Sequence, residues 1–159
     1  MASLSAAQAK AEALARFQAP DPAHINCGQA VFVYGLLRMG EDADLITQAR
    51  YFGGGITGMG EICGVLNGAA LALGTRDMVL AERGMESPGS TAAQLKEMLR
   101  DFEKEFGSRR CRELTGYDLS TLDGMTAFKM SDVRSRCTDY VTWAIDRIEP
   151  LLAPVVAAA

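Results

Sequence analysis

The chain has 159 residues, 48% of them hydrophobic, which is enough for one domain with a sizeable core and excludes wholesale disorder. Its net charge of −4 argues against general nucleic-acid binding, and no apolar run reaches the roughly 18–20 residues of a membrane span. The N-terminal stretch carries charges and lacks the continuous apolar region of a secretory signal. We therefore expect a cytoplasmic protein, where cysteines serve metals or redox chemistry more often than structural disulfides.

The first predicted element is an Ala-rich helix over residues 3–17. Ser5 followed by Gln8 suits a capping box at its start. Pro20 and Pro22 end it, because a proline excludes the helical conformation from the residue before it. This helix is expected at the periphery, packed on the body of the protein or on a second subunit.

The second predicted helix is apolar on all sides and ends near Met39. Asp21 or Asn26 could cap its start. Its body, residues 30–37, is short enough to be a buried strand instead. Flanking caps and the absence of another strand candidate favour a helix. A third helix is predicted over residues 42–52 from its helical spacing of apolar positions.

The central stretch, residues 53–74, opens with five glycines in eight positions and continues into an apolar run. We interpret this as a flexible loop followed by a buried helix over residues 62–73. Three glycines recur every fourth residue and would form a ridge that a neighbouring backbone can approach closely: Gly60, Gly64 and Gly68. Cys63 stands beside that ridge. Residues 75–89 are predicted to be a connector of mixed polarity.

The C-terminal part holds the clearest amphipathic helix, residues 91–106, with Thr91 and Gln94 as a candidate capping box. A short helix over residues 108–114, a loop over residues 117–129 and a last helix over residues 131–149 follow. Pro150 is expected to end that helix and to leave residues 150–159 as a weakly packed, peripheral tail. No segment alternates as a strand does. The prediction is an all-α bundle of six or seven helices in one domain, residues 1–159.

The four cysteines are the strongest chemical signal: Cys27, Cys63, Cys111 and Cys137. None belongs to a CxxC pair, so a shared site must be assembled by folding, with one cysteine from each of four helices. The first three fall near predicted helix N-termini, and such a position lowers the pKa of a thiol and favours the thiolate. Arginines flank Cys111 and precede Cys137. The simpler alternative is that each cysteine fills a gap in the core.

These residues resemble the C_GCAxxG_C_C family of redox-active proteins. Residues 63–68 read CGVLNG against the family's CGAxxG, with Val65 in place of alanine. Cys27 within NCGQA matches the first cysteine of the family, Cys111 ahead of ELTGYD the third, and Cys137 the fourth. The likeness covers about residues 24–145.

The resemblance implies a redox role. A similar domain occurs in split-Soret cytochromes, where an iron–sulfur cluster is associated with it, and this chain has no CxxCH motif for haem. By this likeness the four cysteines would ligate a [2Fe–2S] or [4Fe–4S] cluster that serves electron transfer, with Gly60, Gly64 and Gly68 supporting the backbone around it. The identity of a redox partner protein is left open. So are the formation of a homodimer and any enzymatic activity.

Two alternatives remain at this point. The protein could be a thiol–disulfide redox protein without a metal, in which pairs such as Cys27 and Cys63 cycle. It could also be a non-catalytic helical interaction protein stabilised by zinc. His24, the only histidine, lies three residues before Cys27 and could join the site, although a structural role is the simpler interpretation. The letters of the glycine loop match the dinucleotide-binding pattern GxGxxG, but no βαβ unit surrounds the loop, which argues against such a site. A hydrolase triad is improbable because the chain has one histidine.

Overall fold

The computed structural model describes residues 2–157, which form seven α-helices and one 3₁₀ helix. The α-helices are α1 (Ala6–Gln18), α2 (Cys27–Met39), α3 (Gly64–Glu82), α4 (Thr91–Phe106), α5 (Cys111–Thr115), α6 (Leu122–Met130) and α7 (Val133–Ala157). The 3₁₀ helix, Ala43–Ala49, follows α2. Over these residues the only β-type pairing is an isolated antiparallel bridge between Ile62 and Arg110. The predicted all-α fold is confirmed.

Helix α2 is central, because it packs against α1, α3 and α7. It starts with a capping box between Asn26 and Gln29 and ends at Gly40 in the left-handed conformation, which confirms the helix interpretation of this apolar segment. Asn26 rather than Asp21 is the N-cap. Helix α1 starts with the predicted Ser5–Gln8 capping box and buries three residues in the core: Ala9, Ala13 and Phe17.

Helices α2 and α3 approach closely at glycines. A Cβ atom on Gly68 would lie 2.3 Å from the carbonyl oxygen of Gly28, far inside van der Waals contact. Two turns farther along α2, a Cβ on Gly35 would lie 2.8 Å from the Cβ of Ala72. Small residues therefore allow the two backbones to pack directly on each other, and this crossing fixes how the N-terminal ends of α2 and α3 meet.

Helix α3 continues to Glu82, so the predicted connector over residues 75–89 is wrong for its first half. The reason is Arg76, which is fully buried and makes its own polar environment. Its guanidinium donates to Asp77 Oδ1 from both Nε (2.9 Å) and Nη2 (2.6 Å), to Thr91 Oγ1 and to the carbonyl of Leu151. These hydrogen bonds connect α3 to the start of α4 and to α7. It also removes Thr91 from the predicted capping box, since Ser90 caps α4.

Helix α7 runs through Pro150 and Pro154, so the expectation that Pro150 ends it is wrong. A proline removes one helical hydrogen bond but is tolerated when packing compensates. Beyond Pro150, Leu152 and Val155 are buried in the core, and Arg83 donates to the carbonyl of Val155. The expected tail is thus helical up to Ala157; Ala158 and Ala159 lie outside the described residues, as does Met1.

Three smaller expectations need correction. The segment predicted as a third helix is a 3₁₀ helix that Asp42 caps. The loop predicted over residues 117–129 contains α6, which Thr121 caps through its side-chain oxygen. The last helix begins at Val133 rather than at residue 131. None of the helices within residues 2–157 combines the length and apolar character of a membrane span.

Candidate redox site

Two of the four cysteines meet where α2 and α3 begin. Cys27 is the first residue of α2, and Cys63 is the N-cap residue of α3. A Cβ on Gly64 would lie 2.6 Å from the Cys27 sulfur and 2.7 Å from the carbonyl oxygen of Phe52. Glycine at this position therefore lets the start of α3 lie directly against Cys27. The predicted close approach at Gly64 and Gly68 is confirmed, with the backbone of α2 as the neighbour.

Cys111, the third cysteine, is held in place by the antiparallel bridge between Ile62, just before α3, and Arg110, just before α5. The Cys63 N–H donates to the carbonyl of Arg109 at 2.8 Å, and the Cys111 N–H donates to the carbonyl of Glu61 at 2.7 Å. The Arg112 N–H donates to the carbonyl of Gly60 at 3.1 Å. These antiparallel hydrogen bonds place Cys63 and Cys111 next to each other although they are far apart in sequence. Gly60 thus lies before α3, with a φ of 78°, and is not part of the helical ridge predicted for it.

Cys137 enters the same region from the second turn of α7. Together with Cys27 and Cys111 it lines a cavity of about 440 Å³, whereas Cys63 is buried behind Cys27. The other lining residues come from the end of α1, the segment before α2, the glycine loop, α5, α6 and α7: Phe17, Asp21, His24, Asn26, Gly53, Gly54, Thr57, Gly58, Thr115, Leu119, Met125, Phe128, Lys129 and Arg134. The four predicted site cysteines are therefore brought to one end of the bundle, and His24 lies on the same cavity wall.

Cys27 is the cysteine whose surroundings favour the thiolate. Its pKa is lowered, chiefly because the Cys63 thiol can donate a hydrogen bond to it, and further because the backbone N–H groups of Cys27, Gly28 and Gly64 point at its sulfur. The same interaction raises the pKa of Cys63, and burial raises it further. In this pair Cys27 ionises first and Cys63 keeps its proton.

The pKa values of the other two cysteines, Cys111 and Cys137, are raised. Burial raises the pKa of Cys111 to about 12, although this residue opens α5, and the neighbouring Cys27 adds to the effect. Burial also raises the pKa of Cys137 to about 12, and the neighbouring Cys27 and Cys111 add to it against the opposing Arg136 and Arg134. The prediction of lowered pKa values at all three helix starts is thus wrong for Cys63 and Cys111, because desolvation and the neighbouring thiols outweigh the helix dipole.

The sequence did not reveal three contributors to the cavity wall. Met125, Phe128 and Lys129 belong to α6, which was expected to be a loop. Turn-forming residues such as Asp118, Asp123 and Gly124 indicated a loop here, and no α6 residue is buried to mark an apolar helix face. Thr57 reaches the wall from the glycine loop, where Ile56 and Thr57 both have a positive φ, a rare conformation for β-branched residues. Such local strain is found most often at functional sites.

The donor set fits an iron–sulfur cluster in its chemistry. Thiolates are the usual ligands of such clusters, and here four thiols from four different segments stand within electrostatic reach of one another. Within residues 2–157, however, no three His, Cys, Asp or Glu side chains form a group that could hold a single metal ion.

Asn67 lies one helical turn after Cys63, and its side-chain Nδ2 is buried without a hydrogen-bond partner among the described residues. A buried donor that lacks an acceptor is costly, by about 1–3 kcal/mol. Asn67 is not among the residues that line the cavity.

Comparison with known proteins identifies the same residues. The family described as "Putative redox-active protein (C_GCAxxG_C_C)" matches residues 25–151, which include all four cysteines. No curated protein and no solved structure matches the chain. The family match covers most of the chain, from the segment before α2 to the last turns of α7.

Proposed function

Since the chain belongs to the C_GCAxxG_C_C family of redox-active proteins, we propose that its four cysteines ligate an iron–sulfur cluster that serves electron transfer. The observation that carries this proposal is the convergence of four thiols from four separate segments at one end of the bundle. Cysteines that only fill gaps in the core would not be expected to lie together at one end of the bundle. The cluster type, [2Fe–2S] or [4Fe–4S], is open. The proposal keeps a cytoplasmic location, where thiols stay reduced.

The proposed ligands are Cys27, Cys63, Cys111 and Cys137. When bound, a cluster supplies reversible one-electron transfer. The chain's own contribution is to hold the four sulfurs and to set the charge around them. Backbone N–H groups of Gly28 and Gly64 point at the Cys27 sulfur. Such hydrogen bonds stabilise added negative charge and so raise a reduction potential. Gly64 is needed because any side chain there would meet the Cys27 sulfur.

A second candidate function is favoured by the interaction between Cys27 and Cys63. The Cys27 thiolate would attack a substrate disulfide, forming a mixed disulfide and releasing one substrate thiolate. The Cys63 thiol would then lose its proton to water and attack the Cys27 sulfur, forming the Cys27–Cys63 disulfide and releasing the second thiolate. Two electrons pass from the two cysteines to the substrate. Here Cys111 and Cys137 would not be needed.

Single substitutions separate the two functions. We would purify wild-type protein, Cys111→Ser and Cys137→Ser without oxygen and measure iron, acid-labile sulfide and zinc. The exposed Met130, close to Cys137 in sequence, provides the control variant Met130→Ser. The cluster function predicts iron and sulfide in wild type and control, and their loss in both cysteine variants. Colourless wild type whose free-thiol count falls by two on oxidation, with the new disulfide mapped to Cys27 and Cys63, would instead support the thiol–disulfide function.

A further inference from the structure

The cavity beside the cysteines is larger than the cysteines alone require. At about 440 Å³ it has the volume of a site for a small organic molecule. Cys27, Cys111 and Cys137 line it. Its wall also includes apolar side chains from α1, the segment before α6 and α6 itself: Phe17, Leu119, Met125 and Phe128. An aromatic or aliphatic body of a ligand would find contacts there.

The charged groups on the cavity wall favour a negative ligand. Lys129 and Arg134 line the cavity, and neither forms a salt bridge with a carboxylate among residues 2–157. Asp21 is the one carboxylate on the wall, so two cationic side chains face a single carboxylate there. The whole chain has a net charge of −4, which makes this pair of cations a distinct feature of the cavity.

His24 lies beside one of these cations and adds no charge of its own. Its Nδ1 donates to the carbonyl oxygen of Phe17 at 2.6 Å, and Arg134 Nη2 lies 2.9 Å from the same nitrogen. Burial lowers the pKa of His24, and the nearby Arg134 lowers it further, against the opposing Phe17 carbonyl and Asp21. The imidazole therefore does not add a second positive charge beside Arg134 near pH 7.

We propose that this cavity binds a small organic anion, with its apolar body against Phe17, Met125 and Phe128 and its anionic group at Lys129 and Arg134. The ligand would then lie beside Cys27, Cys111 and Cys137. Its role as a reaction partner of these cysteines rests on the proposed redox function, whereas its binding rests only on the cavity. The ligand class is thus a carboxylate or similar anion on an aromatic or aliphatic body.

A pair of compounds with one body and opposite charges tests this proposal. We would titrate the protein as isolated with 3-phenylpropionate and with 3-phenylpropylammonium by calorimetry. We expect the anion to bind at least about tenfold more tightly, the equivalent of 1.4 kcal/mol. Equal affinities, tighter binding of the ammonium compound or no binding of either compound would overturn the proposal.

Variants locate the binding to the cavity. Lys129→Gln and Arg134→Gln should each weaken binding of the anion about threefold or more, as loss of one partly exposed charge pair does, and leave the ammonium compound unaffected. Phe128→Ala should weaken both compounds alike. Lys96→Gln, an exposed lysine on α4 outside the cavity, is the control and should change neither affinity. A wild-type affinity for the anion in both charge variants would contradict the assignment.

The metal content of the same samples separates this proposal from the redox function. Iron and sulfide are measured on each preparation before titration. A cluster-containing protein that binds neither compound refutes the anion site alone. A protein that contains no iron, gains none on reconstitution with ferrous iron and sulfide, and binds the anion selectively supports the anion site and refutes the cluster.

Discussion

The crossing of α2 and α3 leads to a sharp prediction about two glycines of one helix. A Cβ on Gly68 would lie 2.3 Å from the carbonyl oxygen of Gly28 and 3.0 Å from its carbonyl carbon. Ordinary contact begins at 3.4 Å, so Gly68→Ala must separate the two helices by about 1 Å. The clash is with backbone, which cannot rotate away. Overpacking costs about 1–3 kcal/mol, and we expect the upper end of that range or more.

Gly74→Ala is the matched control, because Gly74 lies in the same helix, is exposed, and has no atom within 4 Å of an added Cβ. Alanine there should stabilise the protein by about 0.5–1 kcal/mol, since glycine is unfavourable within a helix. The two variants should thus differ by about 3.5–4 kcal/mol in free energy of unfolding, measured by urea denaturation followed by circular dichroism. Equal stabilities would refute the close approach of α2 and α3 and, with it, the placement of Cys27 beside Cys63.

Three further predictions concern the cysteines and the end of α7. In metal-free, reduced protein, the pH midpoint for alkylation of Cys27 should lie below that of an ordinary cysteine, and Cys63→Ala should move this midpoint upward. Mass spectrometry of samples alkylated at a series of pH values measures both midpoints. An unchanged midpoint in the variant would exclude Cys63 as the cause of the lowered pKa. Because the pKa values of Cys111 and Cys137 are raised from 9.0 to about 12, the unfolded state loses these protons first. Stability should therefore fall as pH rises above 9, by up to about 1.4 kcal/mol per pH unit for each thiol. Urea unfolding at about pH 8 and about pH 10 measures this, and Cys111→Ser should reduce the decline; a stability that rises with pH would contradict the burial of these thiols. Finally, Leu152→Ala should cost about 2–5 kcal/mol, since Leu152 is fully buried, and a cost near zero would show that the chain beyond Pro150 does not belong to the core.

The sequence was most informative where one local rule decides the structure. The capping box at Ser5, the cap at Asn26, which was one of two candidates, and the amphipathic stripe of α4 each act within a few residues, and the structure has all three. The close approach at Gly64 and Gly68 was also foreseen, because spacing by four residues puts both glycines on one helix face. The position of Gly60 was predicted wrongly, because Gly60 lies before the start of α3 and so is not on that helix face.

The remaining differences arise from contacts between segments distant in the sequence. Arg76 extends α3 because Thr91 and Leu151 supply acceptors that no local pattern shows. Leu152 stays helical after Pro150 because it is buried by the rest of the core. The pKa of Cys111 depends on burial and on a thiol 84 positions away in the sequence, Cys27, and so could not follow from its place at a helix start. Local sequence thus pointed to the cysteines as the candidate site residues, while their environment had to come from the fold.

The measurement that tests the central claim most directly is the iron and acid-labile sulfide content of protein purified without oxygen, together with its visible spectrum. The proposed cluster predicts about two or four irons per chain, an equal number of sulfides and broad absorption from thiolate-to-iron charge transfer. It also predicts that the four cysteines become titratable only after the iron is removed. Protein that contains no iron or sulfide, gains none on reconstitution with ferrous iron and sulfide, and shows all four thiols free would contradict the claim.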